Sequence, residues 1–282
     1  MLQTRRIRKT WTSRPTIEGA GVRLRRAFGF HEVPRLDPFL LLDDFRSNDP
    51  GGYVAGFPWH PHRGIETITY VLRGTVEHGD SMKNRGVIGA GDVQWMTAGS
   101  GIIHQEMPQG DPEGFMEGFQ LWANLPAALK MMVPRYREVK RRDIPEIAAD
   151  GGARVRVICG RVGGVEGPVR DVVIDPEYCD VTVPPRSEFV HPTNRGHTVF
   201  CYVFEGEGLF GGGREPASDG TLVLFEDGDA FTARTEDRAV RFLLVSGRPL
   251  GEPVAWHGPI VMNTPEELET AFEEYRRGTF VR

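Results

Sequence analysis

Two short histidine motifs contain the residues best suited to chemistry. The first is His60-Pro61-His62 and the second is His104-Gln105-Glu106. In an extended strand, residues i and i+2 point to the same face, so each motif presents two possible ligands on one side. Two such pairs on neighbouring strands would supply three imidazole nitrogens and one carboxylate oxygen. The sequence therefore predicts a mononuclear metal site formed by His60, His62, His104 and Glu106.

The types of ligand limit the kind of metal that would bind. Imidazole and carboxylate groups suit Fe(II), Mn(II), Ni(II), Cu(II) or Zn(II), and the thiolates of a closed structural zinc site are missing. Four protein ligands would leave one or two positions free on a five- or six-coordinate ion. Glu66 competes with Glu106 for the carboxylate position, because it lies four residues after His62 at the start of a predicted strand. Strand periodicity alone leaves both glutamates open.

The remaining histidines and the cysteines lack comparable patterns. The other histidines have no partner at metal-ligand spacing, with the weak exception of His191 and His197; they are His31, His78, His191, His197 and His257. The three cysteines are widely spaced, which fits neither a disulfide framework nor a CxxC zinc site. Large apolar residues near the motifs are expected in the core, and some could wall a pocket beside the metal. These are Trp95, Met96, Phe119 and Trp122.

Composition is typical of a globular protein that is rich in strands. The 282 residues include 35 glycines and 21 prolines, and the short apolar stretches between them favour strands joined by tight turns. The net charge of −5 gives no overall attraction to nucleic acid or to anionic membranes. No apolar run is long enough to span a membrane, and the N-terminus lacks the pattern of a secretory signal. We expect a cytoplasmic protein that binds neither nucleic acid directly nor a membrane.

Strands must position the two motifs. Gly64–Leu72 and the FQLWAN segment at 119–124 have the β-branched and aromatic residues of strands. Another strand is predicted to start at Val93, after a glycine turn. The segment 134–152 is rich in charges and contains two prolines, so it is interpreted as a linker between two halves.

The second half repeats part of the first. Residues 70–74 match 202–206 in pattern at an offset of 132, and Gly91-Asp92 matches Gly228-Asp229 at an offset of 137. A period this long indicates a duplicated domain and not a solenoid. At the first offset, Pro192 and Asn194 lie opposite His60 and His62, so the second half would lack the histidine pair.

One helix is predicted at the C-terminal end. Thr264 is suited to the N-cap, Pro265 to the first helical position and Glu267 to the third, which together form a capping box. Apolar residues follow at helical spacing, and Gly278 is a suitable stop. The expected helix has about 13 residues, a length typical of globular proteins.

The sequence around both motifs resembles the pirins, which are members of the cupin superfamily. Residues 56–67 (GFPWHPHRGIET) resemble their first metal motif, and residues 91–108 (GDVQWMTAGSGIIHQEMP) resemble their second. Further similar segments occur across nearly the whole chain: LDPF at 36–39, DDF at 43–45, FQLWAN at 119–124 and HGPIVMNT at 257–264.

The resemblance implies a fold and a ligand set. Pirins are bicupins, so it implies an all-β protein with two antiparallel β-barrel (cupin) domains and a C-terminal helix. The expected domains are 1–134, which would bind the metal, and 135–282, which would be degenerate and hold none. Carried over residue by residue, the ligands are His60, His62, His104 and Glu106, which selects Glu106 over Glu66. The resemblance also suggests Fe2+ as the metal, with Mn, Ni, Cu or Zn as alternatives.

Two main functions follow from the resemblance. Pirin-like proteins are associated with quercetin 2,3-dioxygenase activity, in which O2 opens the central ring of a flavonol. The substrate would then be a small phenolic or flavonol-like molecule, and Glu106 would be the candidate catalytic base. The alternative is a metal- or redox-dependent regulator that binds a protein partner, in transcription or in metabolism, without a physiological catalytic role. A third possibility is a metal that only stiffens the fold.

Overall fold

The computed structural model describes residues 2–281 and consists mainly of β-strands. Twelve of its strands precede residue 140: β1 (Ile7–Thr12), β2 (Arg14–Glu18), β3 (Val22–Phe28), β4 (Phe39–Asp44), β5 (Phe57–His62), β6 (Ile65–Arg73), β7 (Thr75–Asp80), β8 (Arg85–Ile88), β9 (Val93–Thr97), β10 (Ile102–Gln109), β11 (Glu117–Asn124) and β12 (Arg135–Val139).

The strands of the second half continue this numbering. They are β13 (Glu146–Ala148), β14 (Arg154–Cys159), β15 (Arg161–Val162), β16 (Val165–Glu166), β17 (Glu177–Val183), β18 (Glu188–Pro192), β19 (Thr198–Phe210), β20 (Ala217–Ser218), β21 (Thr221–Phe225), β22 (Ala230–Arg234), β23 (Val240–Gly247), β24 (Ala255–His257) and β25 (Ile260–Met262). Short 3-10 turns occur at Phe30–Glu32, Pro50–Gly52, Ala127–Leu129, Arg141–Asp143 and Asp150–Gly152.

The one α-helix among the described residues, α1 (Pro265–Arg277), confirms the predicted C-terminal helix. The Thr264 hydroxyl accepts from the Glu267 backbone N–H, and the Glu267 carboxylate accepts from the Thr264 N–H. This reciprocal pair satisfies two N–H groups that a helix start leaves without partners. Gly278 ends the helix with a left-handed φ of 72°, a conformation that glycine adopts without strain. No helix among residues 2–281 has the length and apolar character needed to cross a membrane.

The described residues form two compact units. The metal-motif unit contains 14–141 and 250–281, and the second unit contains 2–13 and 142–249. The C-terminal helix thus belongs to the unit that carries the histidine motifs. The boundaries of these two units differ from those of the domains expected from the sequence, 1–134 and 135–282. Those two domains stay a prediction. Segment 134–152, interpreted as a linker between the two halves, contains β12 and β13, and the boundary between the units falls inside it.

Both units have the same sheet order, which supports the predicted duplication. The larger sheet of the metal-motif unit runs β12-β9-β6-β11-β4-β3-β2. The corresponding sheet of the second unit runs β1-β21-β19-β23-β17-β14-β13, so β6 is equivalent to β19 and β9 to β21. The smaller sheet of the metal-motif unit, β5-β10-β7-β8, is matched by β18-β22-β19-β20, where β19 bends from one sheet into the other.

The backbone hydrogen bonds confirm one sequence match and correct the other. Gly91 donates its N–H to the carbonyl of Val71, and Gly220 donates to the carbonyl of Val203 in the same way. Both glycines have positive φ values, of 87° and 81°. Since Val71 and Val203 are related by the offset of 132, the equivalent of Gly91 is Gly220. The match to Gly228 was wrong, because the segments between the paired strands have different lengths in the two halves.

The strand pairings do not test the residues predicted opposite the ligands. In the metal-motif unit His104 pairs with His60, and in the second unit Phe231 pairs with His191 and Ala230 with Pro192. The placement of Pro192 and Asn194 opposite His60 and His62 stays a prediction. That the second half holds no metal stays an expectation.

The all-β prediction with one C-terminal helix is confirmed, whereas the barrel description is not. The hydrogen-bonded sheets keep edge strands and do not close into rings among the described residues. The core of the second unit is a cluster of valines and phenylalanines on its inward-facing strand positions. In the metal-motif unit, β25 and α1 pack through Ile260, Met262 and Ala271. This packing brings residues 250–281 next to the strands that carry the histidines.

Candidate metal centre

Three of the four predicted ligands lie together in the metal-motif unit. His60 and His62 are on β5, and His104 is on the neighbouring strand β10, directly opposite His60. The possible ligand atoms of the three histidines all lie within 4.8 Å of one another. Alternation along the strands turns His60, His62 and His104 to one side, while Pro61 and Gln105 point away.

The tautomers of His60 and His62 follow from their backbone partners. His60 Nδ1 lies 2.8 Å from the carbonyl oxygen of Pro58, and His62 Nδ1 lies 3.0 Å from that of Pro259. A carbonyl oxygen only accepts, so each Nδ1 carries a proton. In the neutral imidazole this leaves Nε2 with a free lone pair. Metal-bound histidines commonly have this arrangement, with the second ring nitrogen donating to a carbonyl or a carboxylate.

The two Nε2 atoms face each other at 3.1 Å. Two lone pairs at that distance repel unless a proton or a cation lies between them. Two nitrogens bound to one ion at about 2.0–2.1 Å are about 2.9 Å apart at a right-angle geometry and about 3.4 Å apart at a tetrahedral one. The observed separation falls within this interval, so the pair fits a shared metal ion.

His104 has the same requirement for a partner. Its side chain is buried, and neither ring nitrogen has a hydrogen-bond partner among the described residues. Buried polar atoms without partners are rare in folded proteins and point to an ion or another group. Burial lowers the pKa of His60 and lowers the pKa of His62 and His104 well below the usual range. The imidazoles are therefore neutral, which is the form that binds metals.

Glu106 lies inside the same unit but not in the group of three histidines. Its carboxylate accepts from the Thr69 hydroxyl and from the Gln120 amide, both at 3.0 Å. Burial raises the pKa of Glu106 to about 7, although both hydrogen bonds lower it. A bound cation nearby would favour the ionised carboxylate. Glu106 as the fourth ligand stays a prediction, and its side chain is already held by two polar neighbours.

Glu66 is on β6, on the face of that strand opposite to the face that carries Thr69. It accepts from the Thr97 hydroxyl at 2.6 Å and from the Trp95 indole N–H at 3.1 Å. Thr69 is three residues further along β6, so strand alternation turns it to the other face, where it contacts Glu106. The two glutamate side chains therefore point to different sides of the sheet, and the choice of Glu106 over Glu66 stays a prediction.

A cavity of about 680 Å3 opens beside the histidines. Its lining includes His60, His62 and Glu106. One wall is aromatic: the Trp122 ring lies 5.0 Å from His62 and 5.9 Å from Trp256. Of the apolar residues proposed as possible pocket walls, Trp122 lines the cavity, whereas Trp95, Met96 and Phe119 are buried elsewhere in the unit. The volume is typical of a site for a small organic ligand.

Three charged residues, Glu18, Arg26 and Asp43, also line the cavity. Arg26 donates two hydrogen bonds to Asp43, at 2.8 and 2.7 Å, and also pairs with Glu18 at 2.9 Å. Burial raises the pKa of Asp43 to about 6, although the contacts with Arg26 lower it. Sequence reasoning missed Arg26 and Asp43, and also Trp256 and Pro259. The DDF segment contains Asp43 and the HGPIVMNT segment contains Pro259, but neither pattern predicts a role for these residues.

Comparisons with known proteins agree with this architecture. A model of the Pirin family matches residues 21–123, and one of the Pirin C-terminal cupin domain matches 178–281. A pirin-like protein of Caulobacter vibrioides is 44% identical over 99% of this chain and all of its own length. A Pseudomonas aeruginosa protein whose name provisionally assigns it as a quercetin 2,3-dioxygenase is 43% identical over 99% of both chains. The crystal structure of a quercetin 2,3-dioxygenase from Acinetobacter baumannii superimposes with a TM-score of 0.89 at 32% identity, over 98% of each chain.

The duplicated sheets and the buried histidine cluster define a cupin protein with a candidate metal centre in one of its two units. Sequence identity to a pirin-like protein over nearly the full length of the chain identifies the family. The chain belongs to the pirin family.

Proposed function

We propose that this protein is an iron-dependent dioxygenase that opens the central ring of flavonols or related small phenols. The observation that supports this best is the facing pair of Nε2 atoms in His60 and His62, which borders a cavity of suitable size. Bound there by three histidines and Glu106, an Fe2+ ion would supply Lewis-acid activation of a phenolic hydroxyl and redox contact with O2. Relatives named as quercetin dioxygenases support the same class of reaction.

The aromatic wall favours a planar substrate. Trp122 and Trp256 are half-buried, and both line the cavity. Aromatic rings in offset or edge-to-face contact stabilise a bound ring by about 0.5–1.5 kcal/mol beyond the area that they bury. Phe30 extends the wall, with its ring 5.6 Å from that of Trp256. A polyphenol held against this wall would have one edge towards His62.

Glu106 is the residue that we assign to proton transfer. Its carboxylate lines the cavity and is oriented by Thr69 and Gln120. A carboxylate in this position can accept the proton of a phenolic hydroxyl as the substrate binds. Gln120 also lines the cavity, so its amide would keep the carboxylate in place when the proton moves.

Oxygen uptake tests the proposal. Purified protein loaded with Fe2+ under nitrogen is mixed with quercetin in air, and both O2 consumption and loss of the flavonol absorbance band are recorded. We expect stoichiometric O2 consumption, abolished in His62→Ala and retained in His31→Ala. His31 is exposed and does not line the cavity, which makes it a matched control. If no flavonol or related phenol is turned over at full iron occupancy, the enzyme proposal is wrong.

The second candidate is a redox-dependent regulator that binds a protein partner. One observation favours it: Trp59 directly precedes His60 on β5 and is 51% exposed. A change at the metal would therefore be one residue away from a large apolar side chain at the surface, the kind of residue enriched at protein interfaces. Equal recovery of partners by ferrous, ferric and metal-free protein would count against this role. The cytoplasmic location stays a prediction.

A further inference from the structure

The segment after residue 249 contacts the first metal motif at several points. Pro259 lies in the turn between β24 and β25, and its carbonyl oxygen is the partner of His62 Nδ1 at 3.0 Å. The next residue, Ile260, forms a parallel bridge with Arg63, and Val261 donates its N–H to the Arg63 carbonyl at 3.1 Å. The residues that follow His62 are therefore paired with this segment along the backbone.

Side chains fix the same junction. Arg63 is buried, forms an ion pair with Glu274 of α1 at 2.7 Å, and donates to the carbonyl of Phe280 at 3.0 Å. Its guanidinium also lies over the Phe280 ring, 4.2 Å from the centroid. A buried ion pair resists separation, because separating it would leave the buried Arg63 charge without compensation in the interior.

A buried lysine holds the other side of the junction. The Lys130 ammonium donates to the Gly64 carbonyl at 2.9 Å, to the Val261 carbonyl at 3.1 Å and to the Asn124 side chain at 2.6 Å. All three of its N–H donors are thus satisfied. A Cβ placed on Gly64 would lie only 1.9 Å from the Val261 oxygen, so the two backbones are too close for any side chain at this position.

We propose that residues 250–281 act as a positioning clamp for the metal centre: the turn at Pro259 sets the tautomer and orientation of His62, and Arg63 and α1 hold that turn in place. A backbone carbonyl that accepts from Nδ1 leaves only Nε2 for the ion. The clamp therefore selects which nitrogen of His62 binds the metal. Pro259 and its neighbours are positioning residues, since none of the contacts just described reaches the ion directly.

The inference rests on the metal centre of the proposed function, but it does not depend on turnover. It expects that loosening the turn weakens metal binding while the fold remains. Removing the hydrogen-bond partner of a metal ligand typically lowers metal affinity by about 10–100-fold. A segment that only stabilised the fold would instead lower the melting temperature without changing the intrinsic affinity of the folded protein for the metal.

Two glycines with similar backbones give a matched pair of variants. Gly258 has a φ of 54° and Gly251 a φ of 66°, and neither has an atom within 4 Å of an added Cβ. Alanine at either position introduces comparable backbone strain, yet only Gly258 is bonded to Pro259. We expect Zn2+ affinity, measured by competition with a chelator, to fall at least tenfold in Gly258→Ala and to stay within twofold of wild type in Gly251→Ala. Equal affinities in folded Gly258→Ala and Gly251→Ala would overturn the clamp.

The ion pair provides a second, milder test. In Glu274→Gln the contact with Arg63 loses its charge, whereas Glu273→Gln changes an exposed residue of the same helix that pairs with Arg277. We expect the visible absorption spectrum of the Co2+-loaded protein to change in Glu274→Gln and to match wild type in Glu273→Gln. Identical spectra and affinities in both variants would count against the role assigned to Arg63.

A measurement on the unaltered protein covers the case in which variants fail to fold. Long-range 15N–1H NMR of histidine rings in the Zn2+-loaded protein reports which nitrogen carries the proton. For His62 we expect a proton on Nδ1 and the metal on Nε2; the reverse assignment would overturn the inference. If wild-type protein bound neither Zn2+ nor Co2+, the metal centre itself would be refuted, which is a result distinct from a failure of the clamp alone.

Discussion

Replacing His104 with leucine should have opposite effects on the metal-free and metal-loaded protein. The His104 side chain is 1% exposed, and neither ring nitrogen has a hydrogen-bond partner among residues 2–281. Without a metal, the folded protein must bury two polar atoms that water would bind in the unfolded chain. Leucine has a similar volume and no polar atoms, so the metal-free site should accept it.

The magnitude follows from the cost of an unsatisfied polar group. A buried donor or acceptor without a partner costs about 1–3 kcal/mol. We therefore expect His104→Leu to leave the free energy of unfolding of metal-free protein unchanged or to raise it by up to about 3 kcal/mol. With metal bound at 1,000 times the dissociation constant, the native state of the wild type gains about 4.1 kcal/mol. The variant loses most of that gain, which exceeds the largest expected benefit of leucine, so the sign should reverse.

Urea unfolding with and without Zn2+ measures both effects. His78→Leu is the matched control, since His78 is also buried but one of its ring nitrogens contacts the Glu138 carboxylate. Leucine at that position removes a partner of Glu138 in either state, so it should destabilise the metal-free and the loaded protein alike. If His104→Leu destabilised the metal-free protein as much as His78→Leu, then His104 would be a structural residue and the reasoning would fail.

Three further predictions concern other parts of the metal-motif unit. Asp43 has a pKa of about 6, above its ordinary value of 3.8; an acid whose pKa is raised by folding stabilises the native state at low pH and loses that contribution as the pH rises through about 6. A 13C titration of the Asp43 carboxyl should show this pKa, and a measured pKa below 4 would contradict the assignment. Between pH 4 and 6, the free energy of unfolding should fall less in Asp43→Asn than in the wild type. Thr264→Ala should lower the free energy of unfolding by about 0.5–2 kcal/mol, with Thr264→Ser close to wild type, and an unchanged urea midpoint in Thr264→Ala would refute the capping role. Trp122→Ala should raise KM for a flavonol about tenfold through lost ring contact with little change in kcat, so an unaltered KM in the oxygen-uptake assay would exclude that wall from substrate binding.

Local patterns in the sequence predicted those features that depend on neighbouring residues. The period of two in a strand places His60 and His62 on one face, and the capping box places the start of α1, because both effects operate within a few residues. The duplicated segments at 70–74 and 202–206 also lie in equivalent strands. In each case, the geometry follows from backbone dihedral angles that the local residue types already favour.

Features that depend on distant pairing could not be predicted in this way. The choice between Glu66 and Glu106 depends on which face of β6 turns towards β10, and spacing along the chain does not report that orientation. The partner of His62 is a backbone carbonyl, at Pro259, and every residue has one, so no residue type marks it. The match to Gly228 failed for a related reason: glycine and aspartate are common in turns, and only hydrogen bonds distinguish equivalent turns from similar ones.

The discontinuous metal-motif unit has a consequence for protein synthesis. Roughly 150 residues separate Glu106 from Pro259, and at about 5–20 residues per second a ribosome needs about 8–30 s to add them. During that interval the histidine motifs can leave the ribosome before the turn that orients His62 has been made. We expect the nascent chain to be a poor competitor for cellular metals. Correct loading would then follow synthesis of this turn, which gives the cell time to control which ion the protein receives.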